Sequence, residues 1–331
     1  MIRFGSVFSQ LLNLFDHNAF DRAVRQHHAE KASKGFSCWE QFVAMMFCQL
    51  AQAHSLREIC GGLAGCLGKL KHLGLKQAPA KSTLAYANEH RPWELYQTVF
   101  YQLLAQSPRF IHGKKKFRFK NKLYSLDATV IDLCLSLFPW AKFRQTKGAV
   151  KLHCLLDHEG YLPVFAHITE GRKHEIHTAR TVVLPPGSII AMDRGYNDYK
   201  LFGVWTDKDI YFVTRLKDNA EYAVVKHRPV AVASGVLKDQ EILLTGQGAN
   251  EKCSYALRRV EFWDAEKKAV LVFLTNQMTF APATIAAIYK ERWQIEIFFK
   301  ALKQNLKIKT FVGTSANALK TQIWIALIAI L

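Results

Sequence analysis

Between residues 122 and 215 the chain carries apolar, β-branched runs at Leu123–Ile131, Val150–Leu156, Tyr161–Ile168, Ser188–Met192 and Ile210–Thr214. Helical patterning intervenes only at about 174–183 and 196–205. The order strand, strand, strand, helix, strand, helix, strand leaves little freedom. Strands joined by short connections form an antiparallel meander, and strands separated by a helix return in parallel through a crossover. An α/β domain built on a mixed sheet with flanking helices is therefore expected.

The flanking sequence differs on both sides. Ser37-Cys-Trp-Glu40 and Ser55-Leu-Arg-Glu58 read as capping boxes that open apolar-periodic stretches, and Gly61, Gly62, Gly65, Gly68, Pro79 and Pro92 punctuate the segment after them. Residues 1–112 are expected to form an all-α N-terminal domain of four or five helices. A helix-turn-helix over 55–90 is compatible with this spacing, but nothing in it is diagnostic, and a packing or dimerisation module reads equally well. Residues 113–121, containing Lys114-Lys-Lys-Phe-Arg-Phe-Lys120, form a basic, aromatic-interleaved linker. From 216 to 280 short strand-like runs alternate with Gly, Asn and Asp, as in a β-rich insertion. Ala281–Leu306 reads as one long amphipathic helix and 316–331 as a final apolar one. The sheet domain is thus assembled from 122–215 and 281–331. The last helix stops on Ile-Ala-Ile-Leu without a polar terminus, so a C-terminal truncation is expected.

Composition narrows the class. Half of the 331 residues are hydrophobic and 22% are charged, which excludes a disordered or low-complexity chain. The longest apolar run, Ile323–Leu331, is far shorter than a bilayer span, and Met1–Phe15 is too interrupted for a signal peptide. A soluble, cytoplasmic protein with no membrane association is expected. The seven cysteines show no CxxC pair, so neither a zinc nor a disulfide framework is indicated. Lys and Arg number 45 against 27 Asp and Glu, a net charge of +18 that points to a polyanion, nucleic acid above all. No Walker-type phosphate loop is present, so no nucleotide cofactor is indicated. Residues 113–150 hold nine Lys/Arg against two Asp, and 289–320 seven against two Glu, so positive charge gathers around particular carboxylates.

Three of those carboxylates stand out. Asp127 lies mid-strand in Leu-Tyr-Ser-Leu-Asp-Ala-Thr-Val-Ile, sharing a face with Ser125 and Thr129. A carboxylate there is costly unless paired or bound to metal. Asp193 closes a strand of the parallel part, where open α/β sheets place ligands. Arg194-Gly195-Tyr196 follows it, with Gly195 suited to a positive φ; a plain helix-capping Asp is the alternative. Third, a helical wheel sets Arg292, Glu296 and Lys303 about −60°, −20° and −40° from Tyr289, with Lys300 beside them. A charged stripe is ordinarily the solvated face of a helix. This mixture also suits a grip on a phosphate backbone around a metal-binding carboxylate. Three carboxylates amid cations fit phosphodiester chemistry with two Mg²⁺ ions. His153, His158, His167, His174 and His177 lack zinc-site spacing and suit packing or DNA-proximal roles. Trp293, Phe298 and Phe299 read as core.

Asp127, the Asp193-Arg-Gly-Tyr196 element and Tyr289-x2-Arg292-x3-Glu296-x6-Lys303 resemble the DDE transposases of the insertion-sequence-four family. The resemblance covers about 122–320. It implies a ribonuclease-H-like catalytic fold with a β-rich insertion before the Glu. Asp127 would bridge two Mg²⁺ ions, which Mn²⁺ could replace, and Asp193 and Glu296 would each complete one site. Tyr289, Arg292, Lys300 and Lys303 would hold DNA phosphates, with backbone contacts also expected from Lys114, Lys115, Lys116 and Arg118. The implied reaction is nicking at the terminal inverted repeats of an element, then attack of the freed 3′-OH on target DNA. A homodimer would work on double-stranded DNA in the bacterial cytoplasm, at the nucleoid. The best-studied relatives hold a flipped base on a Trp in the strand before the signature helix; Val270–Thr275 has none, and Trp263 and Phe273 are the nearest aromatics. The rival readings are a catalytically silent, truncated DNA-binding remnant and a ribonuclease-H-like nuclease or resolvase. The intact carboxylate set favours the enzyme.

Overall fold

The protein is a mixed α/β chain in a computed structural model that describes residues 6–31, 33, 35–66, 68–107, 116–143, 147–230, 235–306, 308 and 310–331. In chain order its elements are α1 (Val7–Leu12), α2 (His17–Gln26), α3 (Cys38–Leu50), α4 (Leu56–Ala64), α5 (Lys81–His90), α6 (Glu94–Gln106), β1 (Leu123–Leu133), β2 (Gly148–Asp157), β3 (Leu162–Glu170), α7 (Glu175–Ala179), β4 (Ile189–Met192), α8 (Tyr199–Asp207), β5 (Tyr211–Arg215), β6 (Tyr222–His227), β7 (Val236–Leu244), α9 (Ala249–Lys252), β8 (Leu257–Asp264), β9 (Ala269–Thr275), α10 (Pro282–Glu291), α11 (Trp293–Asn305) and α12 (Ala316–Ile330). Among the described residues no helix is long and apolar enough to cross a membrane.

Two compact units emerge. One comprises Met1–Ile111, Ile131–Val150 and Phe299–Leu331. Among the described residues six α-helices precede the first strand, where Gly and Pro punctuation suggests four or five. Ser37 and Glu40 form the complete capping box expected of them. At α4 the reciprocal bond shifts: Ser55 accepts from the Glu58 N–H, while the Glu58 carboxylate accepts from the His54 N–H at 2.8 Å. The largely apolar sequence of α12 has a structural reason. It is buried on nearly every side against α3, α5 and α6, with Trp324 stacked on Trp93 at 6.3 Å and tilted on Phe100 at 5.4 Å. Asn317 at its first turn donates to the Asn88 and Arg91 carbonyls, tying its start to the end of α5.

The other unit comprises His112–Val130 and Lys151–Phe298. The nine strands follow one sheet order, β3-β2-β1-β4-β5-β9-β8-β7-β6. β1, β4 and β5 are parallel, with Leu123–Leu126 opposite Ile189–Met192 and Ile189–Ala191 opposite Tyr211–Val213. The strands of 216–280 do not form a second sheet. They continue this one as an antiparallel meander, attached where β9 pairs with β5. Alternation then sorts the side chains. Leu123, Ile189, Ala191, Val213, Val260 and Phe273 face α10, and Tyr124, Leu126, Ile190, Met192 and Phe212 face the α7–α8 side.

One buried ion pair holds the entry to α10. The Arg258 guanidinium, 1% exposed, donates from Nε and Nη2 to the two oxygens of Asp239 at 2.8 and 2.7 Å. Its Nη1 reaches the Gln277 and Phe280 carbonyls, just ahead of the helix. Removing one member of such a pair strands the other charge in the core. Asp239→Ala should therefore lower unfolding free energy by about 3–5 kcal/mol in urea titration. A loss below about 1 kcal/mol would show that the pair does not anchor the sheet.

Candidate active site

Register brings the first two carboxylates together. β1 and β4 pair up to Leu126 and Met192, so the next residues, Asp127 midway along β1 and Asp193 at the carboxyl end of β4, stand side by side on adjacent parallel strands. Asp193 stays extended (φ −73°, ψ 159°) and its side chain makes no capping bond, which removes the helix-capping alternative; Asp198 caps α8 instead. Gly195 lies within a short 3₁₀ turn and does not take the positive φ suggested by its neighbours. Space there is tight, since a Cβ would lie 3.0 Å from Glu175 Oε2.

The stretch read as one helix is two. α10 ends at Glu291 and α11 starts at Trp293, with Arg292 at the junction (φ −51°, ψ −28°). Tight i to i+3 bonds from the Arg292 N–H to the Tyr289 carbonyl and from the Ile295 N–H to the Arg292 carbonyl mark the change. No Pro or Gly stands there, so the cause is tertiary. Glu291 is buried and paired with Lys116, while Arg292 reaches toward the sheet.

Arg292 is the hub of the site. Its Nη1 donates to Asp127 Oδ2 at 2.8 Å and its Nη2 to Glu296 Oε1 at 2.6 Å. Its guanidinium lies 5.6 Å from the Tyr289 ring centroid, and the Tyr289 hydroxyl donates to Asp193 Oδ1 across 3.5 Å. Tyr289 itself packs on the buried Phe273 at 5.1 Å. Asp127, Asp193, Tyr289, Arg292 and Glu296 thus meet, although up to 169 residues separate them in the chain. Burial pushes the Asp127 carboxyl up to about 6; Arg292 and the Ala128 N–H pull it down, while Asp193 and Glu296 push it further up. Burial also raises the Tyr289 hydroxyl. The Arg292 guanidinium is held more firmly protonated despite burial, because Asp127, Tyr289 and Glu296 favour its charge.

The other expected residues are distributed differently. Lys300 is exposed and Lys303 half-buried, further along α11 within the first unit. Lys114 and Lys115 lie outside the described residues. Lys116 is ion-paired with Glu291, and Arg118 is exposed; alternating with them, Phe117 and Phe119 turn inward and stack at 4.8 Å, the second reaching Phe280. Trp293, read as core, is 56% exposed, whereas Phe299 is buried. Trp263 is exposed on β8 opposite Val270. His153 pairs with Thr169, His158 with Ser125, and His174 caps α7.

Arg215 was missed. Two residues past the Ala191–Val213 pairing, it ends β5 beside Asp193, and its Nε is buried without a hydrogen-bond partner. The only signal in the sequence was a lone cation closing the third parallel strand, on the face of Val213.

The donor set suits divalent cations. Three carboxylates supply hard oxygens, the donors that Mg²⁺-like ions take. Among the described residues no three His, Cys, Asp or Glu side chains converge on one point. Two ions sharing Asp127 would need only two carboxylates each.

Residues 118–331 match the family described as Transposase DDE domain, and residues 5–76 match a domain of unknown function (DUF4372). The chain is 32% identical over 277 residues to a protein of Sinorhizobium fredii named as transposase y4zB, covering 82% of this chain and 76% of that one. It is 27% identical to a protein of Geobacillus stearothermophilus named as the transposase for insertion sequence element IS5377, over 75% of this chain and 65% of that one. A Synechocystis protein named as the transposase for insertion sequence element IS4SA is 23% identical, over 76% and 70%. Among solved structures, a piggyBac transposase synaptic complex with hairpin DNA aligns distantly, with a TM-score of 0.46 and 9% identity over 96% of this chain and 73% of that one.

The Asp127 carboxyl, raised to about 6 from the ordinary 3.8, gives a direct test. The fold favours its neutral form, so this contribution to stability is complete below about pH 4 and is lost as pH rises through about 6. In metal-free protein its carboxyl ¹³C resonance should titrate near 6. Arg292→Ala removes a lowering influence and should move that midpoint higher. A midpoint at or below 4, or a downward move in the variant, would contradict the arrangement.

Proposed function

Because this chain belongs to the Transposase DDE domain family, whose members cleave and transfer DNA strands, we propose that Asp127, Asp193 and Glu296 are its metal-binding catalytic carboxylates. The observation that carries this reading is the paired one: parallel register sets Asp127 beside Asp193, and Arg292 ties Glu296 to Asp127. Asp127 would be shared by two Mg²⁺ ions, or Mn²⁺ in their place, with Asp193 and Glu296 each completing one site. Such a pair, when bound, activates the attacking oxygen and stabilises the leaving one.

The chain's own residues do the rest. Once cations offset the carboxylates, Arg292 is free to turn its planar donors onto a phosphate, with Tyr289 beside it. Arg215, half-buried next to Asp193 with its Nε unpaired, would hold a second phosphate oxygen. Lys300 and Lys303 on α11, with Lys114, Lys115, Lys116 and Arg118 before β1, would follow the backbone of the element end. Lys116 is the least free of these, because Glu291 already holds it.

The finer reading is an insertion-sequence-four transposase with a ribonuclease-H-like catalytic domain over 122–215 and 281–331, the β-rich strands of 216–280 inserted into it, and a helical DNA-end-binding domain at 1–112. It nicks at terminal inverted repeats and joins the freed 3′-OH to target DNA, as a homodimer in the bacterial cytoplasm.

On supercoiled plasmid carrying the flanking repeats, Mg²⁺ or Mn²⁺ should produce nicked and joined products. Asp127→Asn and Glu296→Gln should abolish both while leaving DNA binding within about twofold. Equal loss of binding and cleavage would remove these residues from the metal-binding role. Lys303→Ala should weaken binding and flatten its salt dependence by about one phosphate contact. An unchanged slope would take Lys303 off the backbone.

A further inference from the structure

Joining, on the reading above, requires two DNA segments at one set of carboxylates: the end being cut and the DNA that receives it. The helices α10 and α11 approach Asp127 and Asp193 from one face of the sheet and supply Tyr289, Arg292 and Glu296. On the α7–α8 side, two adjoining hollows of about 430 and 490 Å³ share Lys217 and Asn219 as a common wall. One begins at Arg194 and Gly195, the residues that follow Asp193. The other continues to Arg180, Asp198 and Lys200 at the start of α8, and to Lys252.

The charge of this groove is uncompensated. Its two carboxylates are already engaged: Arg180 Nε donates to Asp198 at 2.7 Å, and Arg194 Nη1 to Asp218 at 3.1 Å. Lys200, Lys217 and Lys252 are all exposed, and among the described residues none has a carboxylate within 4 Å. The backbone builds the groove close. A Cβ on Gly203 of α8 would lie 2.8 Å from the Lys252 carbonyl, so the glycine lets α9 press against α8 and brings Lys252 to the rim. Asp198 sits at the helix start but is spent on its own cap and on Arg180.

Exposed lysines along an open track suit contact with a phosphate backbone. We propose that this groove carries the backbone of the receiving DNA, entering the carboxylates from the side opposite the element end. The inference rests on the transposase reading above and adds a second DNA path to it.

The test uses the full chain with Mn²⁺ and the double variant Lys217→Ala/Lys252→Ala, checked for an unchanged melting temperature. Nicking of element ends should stay within about twofold of wild type, while joining to a target plasmid falls about tenfold or more. The salt slope of binding to nonspecific duplex should fall by about two phosphate contacts. Lys217→Arg/Lys252→Arg should restore joining, since charge and not shape is required. Nicking and joining that fall together would assign the groove to the element end and overturn the proposal; unchanged joining with an unchanged slope would overturn it also. Should wild type itself neither nick nor join, the carboxylate reading fails, and the salt slope, which needs no chemistry, still decides the groove.

Discussion

One guanidinium organises this site. Arg292 donates to Asp127 and to Glu296 within 2.8 Å, and its presence lets three acidic side chains gather at a half-buried sheet edge. At 4 Å a pair of unit charges in surroundings of intermediate dielectric interacts by about 4 kcal/mol. Desolvation removes a comparable amount, so the cluster is held near balance. Placing that guanidinium constrains the helices around it. α10 must stop one residue early, α11 must start in a new direction, and the loop before α10 must be pinned. The pin is Arg258, buried with Asp239 and bonded to the Gln277 and Phe280 carbonyls. Two arginines therefore serve one end: the first fixes where the helix begins, the second where it turns.

The meander β6–β9 gains a structural meaning from this arrangement. Asp239 comes from β7 and Arg258 from β8, while Phe273 on β9 packs against Tyr289. The four strands lie between the second Asp and the signature helix in sequence, and in space they extend the same sheet and support the helix that bears Tyr289. They are the platform of the site as much as an addition to the fold.

Much of this was legible in the sequence. The five strands of 122–215 were legible as apolar, β-branched runs, and those of 216–280 as shorter strand-like ones, because half-buried strands alternate or saturate with such residues. Asp127, Asp193 and the Tyr289–Lys303 spacing were visible because a charge in the middle or at the end of an apolar strand is costly unless something binds it. The long-range features could not be read. The split at Arg292 has no local breaker and arises from partners at 116 and 127. Arg215 was passed over because a cation ending a strand is unremarkable until its register with Asp193 is known. Trp293 read as core since aromatic residues usually are, yet its side of α11 is open. The apolar run at 316–331 was legible as a helix, but not its partners: it is α12, packed on α3, α5 and α6.

Charge placement finally accounts for an arginine, and not a lysine, at 292. A lysine ammonium is a compact point charge that could approach one carboxylate closely or sit loosely between two. The guanidinium presents separate nitrogens in a rigid plane, so Nη1 and Nη2 can serve different carboxylates at once, at 2.8 and 2.6 Å. The same plane then matches a phosphate when those carboxylates find other cations. On the proposed reading a single side chain would hold the acidic cluster together in the absence of cations and grip the substrate in their presence. Asp127 and Asp193 are set by the pairing of β1 with β4, so on that reading only the arginine would turn. The sheet supplies fixed carboxylates, and the helix junction supplies one cation shared between Asp127 and Glu296.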